Sequence, residues 1–267
     1  FRLFVRGVIY DVELWITELY KKIFDSSTRD VDIFQSKNWV GSPYYIKNGY
    51  FKQFIFEITK IKSKNDIATF NLNMILIRYT LSLLLATRDF RNSCNLIDYS
   101  KSFQLLTIQE KSKNIYQSKR LIPLTNRANK IIQNFYILKE KYNISSYSPI
   151  LLTNDSQEKD LNKKNIKVFL SSLDTEIYQE SILFIENFIS NIKLNFGRHV
   201  VTSFLSSTNI DKKYVDAFLN HFKMGTEDQG IYSNFNNQDY VNVIIAKIEE
   251  IENNYLPSYI KVGDYAY

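Results

Sequence analysis

Apolar residues recur at helical spacing along most of the chain. Val12, Leu14, Trp15, Leu19, Ile23 and Phe24 mark a first stretch of this kind. A polar run at 26–30 and an irregular patch at 39–43 follow it. Residues 50–61 read as helical, and the polar run 62–66 reads as a linker. A boundary is therefore predicted there, with a helical segment at 1–66 and the main domain at 67–267. From Ala68 to Ala86 the pattern predicts one long buried helix, with Phe70, Met74, Ile77, Leu81, Leu84 and Leu85 on a broad face. The period then changes. Residues 103–108 and 115–124 are short runs rich in strand formers around a polar connector at 110–114, which predicts a hairpin or small sheet. Pro123 ends the second strand. Helical spacing returns at 126–142, through Ile131, Ile132, Phe135 and Leu138. Residues 145–165 are polar and interrupted, and predict a long loop. An amphipathic helix is predicted at 177–194, two short helices at 198–205 and 214–222, and a closing helix at 239–251. The expected fold class is mainly α with a small antiparallel β-sheet (α+β).

Composition narrows the function classes. Of 267 residues, 45% are hydrophobic and 15% aromatic, enough to build a core and unlike a disordered chain. Seven glycines and four prolines exclude collagen-like and linker-like chains. The most apolar run, around Leu72 to Ala86, is broken by Asn73, Arg78 and Thr80, so no membrane span is expected. Cys94 is the single cysteine. It excludes an intrachain disulfide and a thiolate zinc site, and fits a reducing, intracellular setting. A chain that opens on Phe1 is expected to be a piece of a longer one, and Phe1 to Tyr10 lacks the apolar core of a signal peptide. No phosphate-cradling glycine loop or nucleophile elbow occurs, and no cofactor or metal is expected. The formal charge of +6 favours a polyanionic partner. Richness in Asn, Ile, Tyr and Lys would equally follow from an AT-rich genome, so charge alone decides little.

The two histidines, His199 and His221, fall in one window. It contains Asn195-Phe196-Gly197-Arg198-His199, then Leu219-Asn220-His221, then Gly230-Ile231-Tyr232. An Arg-His pair, a later His and then a Tyr at these intervals resemble the C-terminal box of the tyrosine recombinases, or phage-integrase family. Upstream, Leu83-Leu84-Leu85-Ala86-Thr87-Arg88-Asp89-Phe90-Arg91-Asn92-Ser93 is similar to the family's buried helix and arginine turn. Ile108-Gln109-Glu110-Lys111 followed by Lys119-Arg120-Leu121-Ile122-Pro123-Leu124 is similar to its lysine hairpin and the strand after it. These elements span about residues 68 to 253 in the family's order. The chain departs from the pattern at Asn220, where the family has glycine, and at Asn195, where it has the first histidine of a His-x-x-Arg box. No motif of the family is placed in the first 66 residues.

The resemblance implies the integrase catalytic fold and a site-specific recombinase that cuts and rejoins double-stranded DNA without a metal, as in integration or excision of a mobile element. It implies a homotetramer on DNA. Tyr232 would attack a phosphodiester to form a 3′-phosphotyrosyl bond. Arg91 and Arg198 would hold the non-bridging oxygens, His221 would donate to the same oxygens, and Lys111 would protonate the leaving 5′-oxygen. Arg88 competes with Arg91, and Lys113 and Lys119 compete with Lys111. Tyr240 lies close to Tyr232 in sequence. The rival expectations are an integrase-like DNA-binding protein with weakened catalysis and a helical interaction scaffold.

Overall fold

Residues 46–87, 94–110, 119–193, 195–219 and 237–267 are described by a computed structural model of the chain. All belong to one compact unit. Helix α1 (Asn48–Lys60) buries Phe51, Phe54, Ile55, Glu57 and Ile58, a single stripe at helical spacing. Residues 61–65 connect it to α2 (Asp66–Leu84), so the linker expected at 62–66 joins two helices of the same unit. Asn65 starts α2 by accepting the Ile67 amide at 2.8 Å and the Ala68 amide at 3.4 Å. This helix is buried almost all round and forms the centre of the core. By length and composition it could cross a membrane, but 89% of its most apolar window is buried in the fold. Its C-terminus turns through Leu85 into Ala86, whose φ of 47° lies in the left-handed region that disfavours a Cβ.

An antiparallel sheet follows, in the order β1 (Cys94–Ser100), β2 (Leu105–Glu110), β3 (Lys119–Pro123). Strands β2 and β3 are the expected pair. Strand β1 was not legible, because its apolar alternation is interrupted by a bulge between Leu96 and Asp98. Leu96, Leu106, Ile108 and Ile122 make the buried face. Arg120 pairs with Ile108 and sits on that same inward face, only 5% exposed.

Helix α3 (Asn126–Lys141) begins at Thr125, whose hydroxyl accepts the Ala128 amide at 3.0 Å. The segment predicted as a long loop contains a small hairpin, β4 (Ile150–Leu152) with β5 (Glu158–Asp160), and then α4 (Lys163–Ser171). Buried Asn71 of α2 holds β4 by accepting the Leu152 amide at 2.7 Å and donating to its carbonyl at 2.9 Å. Helices α5 (Thr175–Asn191), α6 (Phe196–Ser207), α7 (Lys212–Leu219) and α8 (Asn237–Tyr255) complete the helical part. Phe51, Phe54, Tyr79, Phe188 and Phe196 form one aromatic cluster joining α1, α2, α5 and α6. Within it, Phe54 and Phe188 stack at 4.0 Å. The chain closes with the hairpin β6 (Lys261–Val262) and β7 (Tyr265–Ala266), which turns at Gly263, φ 59°. Buried Tyr267 donates its hydroxyl to Asn73 of α2. Asn134 of α3 reaches the Ala266 carbonyl at 2.9 Å.

Candidate functional site

Of the five residues expected to carry chemistry, Arg198 is among the described residues. Arg91, Lys111, His221 and Tyr232 lie outside them, as do Arg88, Lys113 and Asn220. The site is therefore built from Arg198 and from the chain on either side of the other four.

Arg198 is the third residue of α6. The residue before it, Gly197, lets α6 press against the last turns of α2. A Cβ at Gly197 would stand 1.8 Å from the Ser82 carbonyl oxygen. This contact fixes the height of Arg198 against the end of α2. The Arg198 side chain is half-buried and donates to the Leu219 carbonyl, the last residue of α7. Asn195 precedes α6 without a side-chain cap, and its carbonyl accepts the His199 amide at 3.1 Å. His199 lies on the exposed side of the helix. Partial desolvation, together with the Lys193 and Arg198 cations, holds its pKa below that of an ordinary histidine.

Arg120 is the residue that sequence reasoning undervalued. It served there only as part of a strand. In the fold its guanidinium donates to the Leu85 carbonyl at 2.6 Å and to Ala86 at 3.0 Å at the end of α2, and to the Phe218 carbonyl at the end of α7. It also lies 5.7 Å from the centre of the Phe218 ring. The signal available in the sequence was an arginine in phase with Ile122 on an apolar-alternating strand, where a buried charge demands strong partners. One buried cation thus gathers backbone carbonyls from the end of α2 and from the last described turn of α7.

Tyr240 of α8 is also near this cation. Burial pushes its phenol well above the ordinary tyrosine range, with the Arg120 charge opposing in part. A phenol 8% exposed and reluctant to ionise is poorly suited to attack a polymer from solution. Thr87, the last described residue before 88–93, is fully buried, and its hydroxyl has no hydrogen-bond partner among the described residues. Among those residues, no three His, Cys, Asp or Glu side chains gather as a metal site would require. A separate cavity of about 460 Å³ opens between the start of α2, the β4–β5 hairpin and α4.

No family model matches the chain, and no curated protein matches it. A solved structure described as the crystal structure of XerA recombinase is similar at 15% identity with a TM-score of 0.37, over 93% of this chain and 83% of that one. A likeness that slight carries no assignment.

Proposed function

We propose that the protein cuts and rejoins double-stranded DNA by tyrosine-recombinase chemistry. The observation that supports this reading is the meeting of Leu85-Ala86, Arg120, Phe218-Leu219 and Arg198 at one point of the fold. Each undescribed candidate is tied by a short piece of chain to an element at or beside this point. Two peptide units link Leu219 to His221, and four link Thr87 to Arg91, at most about 7 Å and about 14 Å of extended chain. Lys111 directly follows Glu110, the last residue of β2, the strand that pairs with Arg120's own. Five units separate Tyr232 from the start of α8, about 18 Å at most. These limits are compatible with a site a few ångströms across, assembled from residues far apart in sequence.

In this reading the Tyr232 phenol attacks phosphorus and its proton passes to water. The bond to the 5′-oxygen breaks, and Lys111 supplies the proton that the leaving oxygen takes. Two guanidinium groups and His221 meet the charge that builds on the non-bridging oxygens. The covalent link conserves the phosphodiester energy, and attack by a new 5′-hydroxyl reverses the step. Exchange between two duplexes takes four such cuts, hence four copies acting together.

The test is a nicked suicide duplex that traps the covalent adduct. Wild type should give a protein–DNA band resistant to denaturation, and Tyr232→Phe should give none while still shifting DNA in a gel. DNA binding without any wild-type adduct would instead favour the binding-protein reading, which the asparagines at 195 and 220 also fit. Absence of binding at every salt concentration would favour a scaffold.

A further inference from the structure

The arrangement around Arg120 carries an inference that rests on the recombinase reading and deepens it. We propose that Arg120 is a positioning residue: its guanidinium sets the separation of Leu85-Ala86, at the end of α2, from Phe218, in the last described turn of α7.

The Leu85 and Ala86 carbonyls that follow α2 and the Phe218 carbonyl of α7 converge. Oxygens placed together in this way repel, because each carries partial negative charge. Arg120 lies between them. One of its terminal nitrogens donates to Leu85 and Ala86, and the other donates to Phe218. A planar fork of fixed width holds these carbonyls at a fixed spacing, which a single ammonium on a flexible stem would not. The fork is itself anchored, because Arg120 is paired in register with Ile108 inside the sheet and is 5% exposed. Arg198 takes the next carbonyl, that of Leu219. The end of α7 is therefore gripped from the sheet by one arginine and from α6 by another. Leu85 to Thr87 and Phe218-Leu219 are the last described residues before the segments carrying Arg91 and His221. Transition-state donors misplaced by about 1 Å cost about 10²-fold in rate, so a device that fixes this spacing acts on the chemical step rather than on DNA affinity.

The test compares wild type with Arg120→Lys and Arg120→Gln, the lysine variant keeping the charge should the neutral one fail to fold. The first readout needs no activity. Amide hydrogen exchange at Leu85, Ala86, Thr87, Phe218 and Leu219 should speed up at least tenfold in both variants. Exchange at the distant Thr153 and Tyr267 amides should stay within twofold. The second readout is adduct formation on the nicked duplex, where the rate should fall about 100-fold while the apparent Kd for DNA stays within threefold. Unchanged exchange at the two helix ends would overturn the proposal whatever the activity. So would full recovery of exchange protection and rate by lysine, because the fork and not the charge is claimed to matter. If wild type forms no adduct, the recombinase reading falls and Arg120 loses its role in chemistry, while the exchange data still decide whether it clamps the helix ends.

Discussion

Gly197 shows how much a single missing atom can determine. The Ser82 carbonyl occupies the place of its Cβ at 1.8 Å, and that carbonyl already accepts the Thr87 amide at 3.2 Å. Backbone cannot yield as a flexible side chain would. Gly197→Ala should therefore destabilise the fold by about 3 kcal/mol. Gly49 offers the control, because nothing lies within 4 Å of its added Cβ on the exposed face of α1. Gly49→Ala should stabilise by about 0.5–1 kcal/mol. Chemical denaturation of both variants checks the pair, and equal effects would contradict the close approach of α6 to α2. Two buried phenols make a second prediction. Burial holds the pKa values of Tyr240 and Tyr267 above the ordinary 10.0 in the folded chain. Their contribution is intact below pH 10. As pH rises past 10 the unfolded chain releases these protons while the folded chain keeps them, so stability falls. The slope is about 1.4 kcal/mol per pH unit for each phenol. Denaturation series from pH 8 to 11 should show this loss, and Tyr240→Phe should remove one phenol's share of it.

At the scale of elements, the hairpin β4–β5 depends on α2 through one side chain. Asn71 satisfies both the amide and the carbonyl of Leu152 while only 2% exposed. Asn71→Leu fits the apolar helix but strands both groups, and should cost about 3 kcal/mol. Asn71→Asp keeps the acceptor and loses the donor at the carbonyl; urea midpoints should rank wild type above both variants. The same hairpin explains where sequence patterning ended. Helices α1, α2, α3, α5, α6, α7 and α8 were legible because each keeps a helical apolar period over two or more turns. Strands β2 and β3 were legible from their strand formers and Pro123. The hairpin strands β4 and β5 are three residues each, and β5 is Glu158-Lys159-Asp160, wholly exposed and without an apolar signal. Strand β1 hides its alternation behind a bulge. Short elements held by tertiary hydrogen bonds leave no periodic trace.

For the whole molecule, the sequence suggested which residue types share a site, but not what would assemble them. Arg198 was read as a clamp on phosphate, and in the fold it also holds the Leu219 carbonyl. Arg120 was overlooked as a site residue because an isolated arginine looks like surface until its strand phase is matched to a buried face. Both arginines donate to backbone carbonyls of α7. The net charge of +6 adds a general attraction for a polyanion. Binding that rests on phosphate contacts releases counterions, so a site making about six of them should lose about 10³-fold in affinity between 50 and 200 mM salt. Tyr232→Phe should follow the same salt line as wild type, because a phenol that acts only on phosphorus adds little to binding. Arg198→Ala should lie below that line and be about one contact shallower. Gel-shift titrations at four salt concentrations on the three proteins check both expectations. Parallel lines for wild type and Arg198→Ala would mean that this guanidinium serves the fold and never meets the DNA.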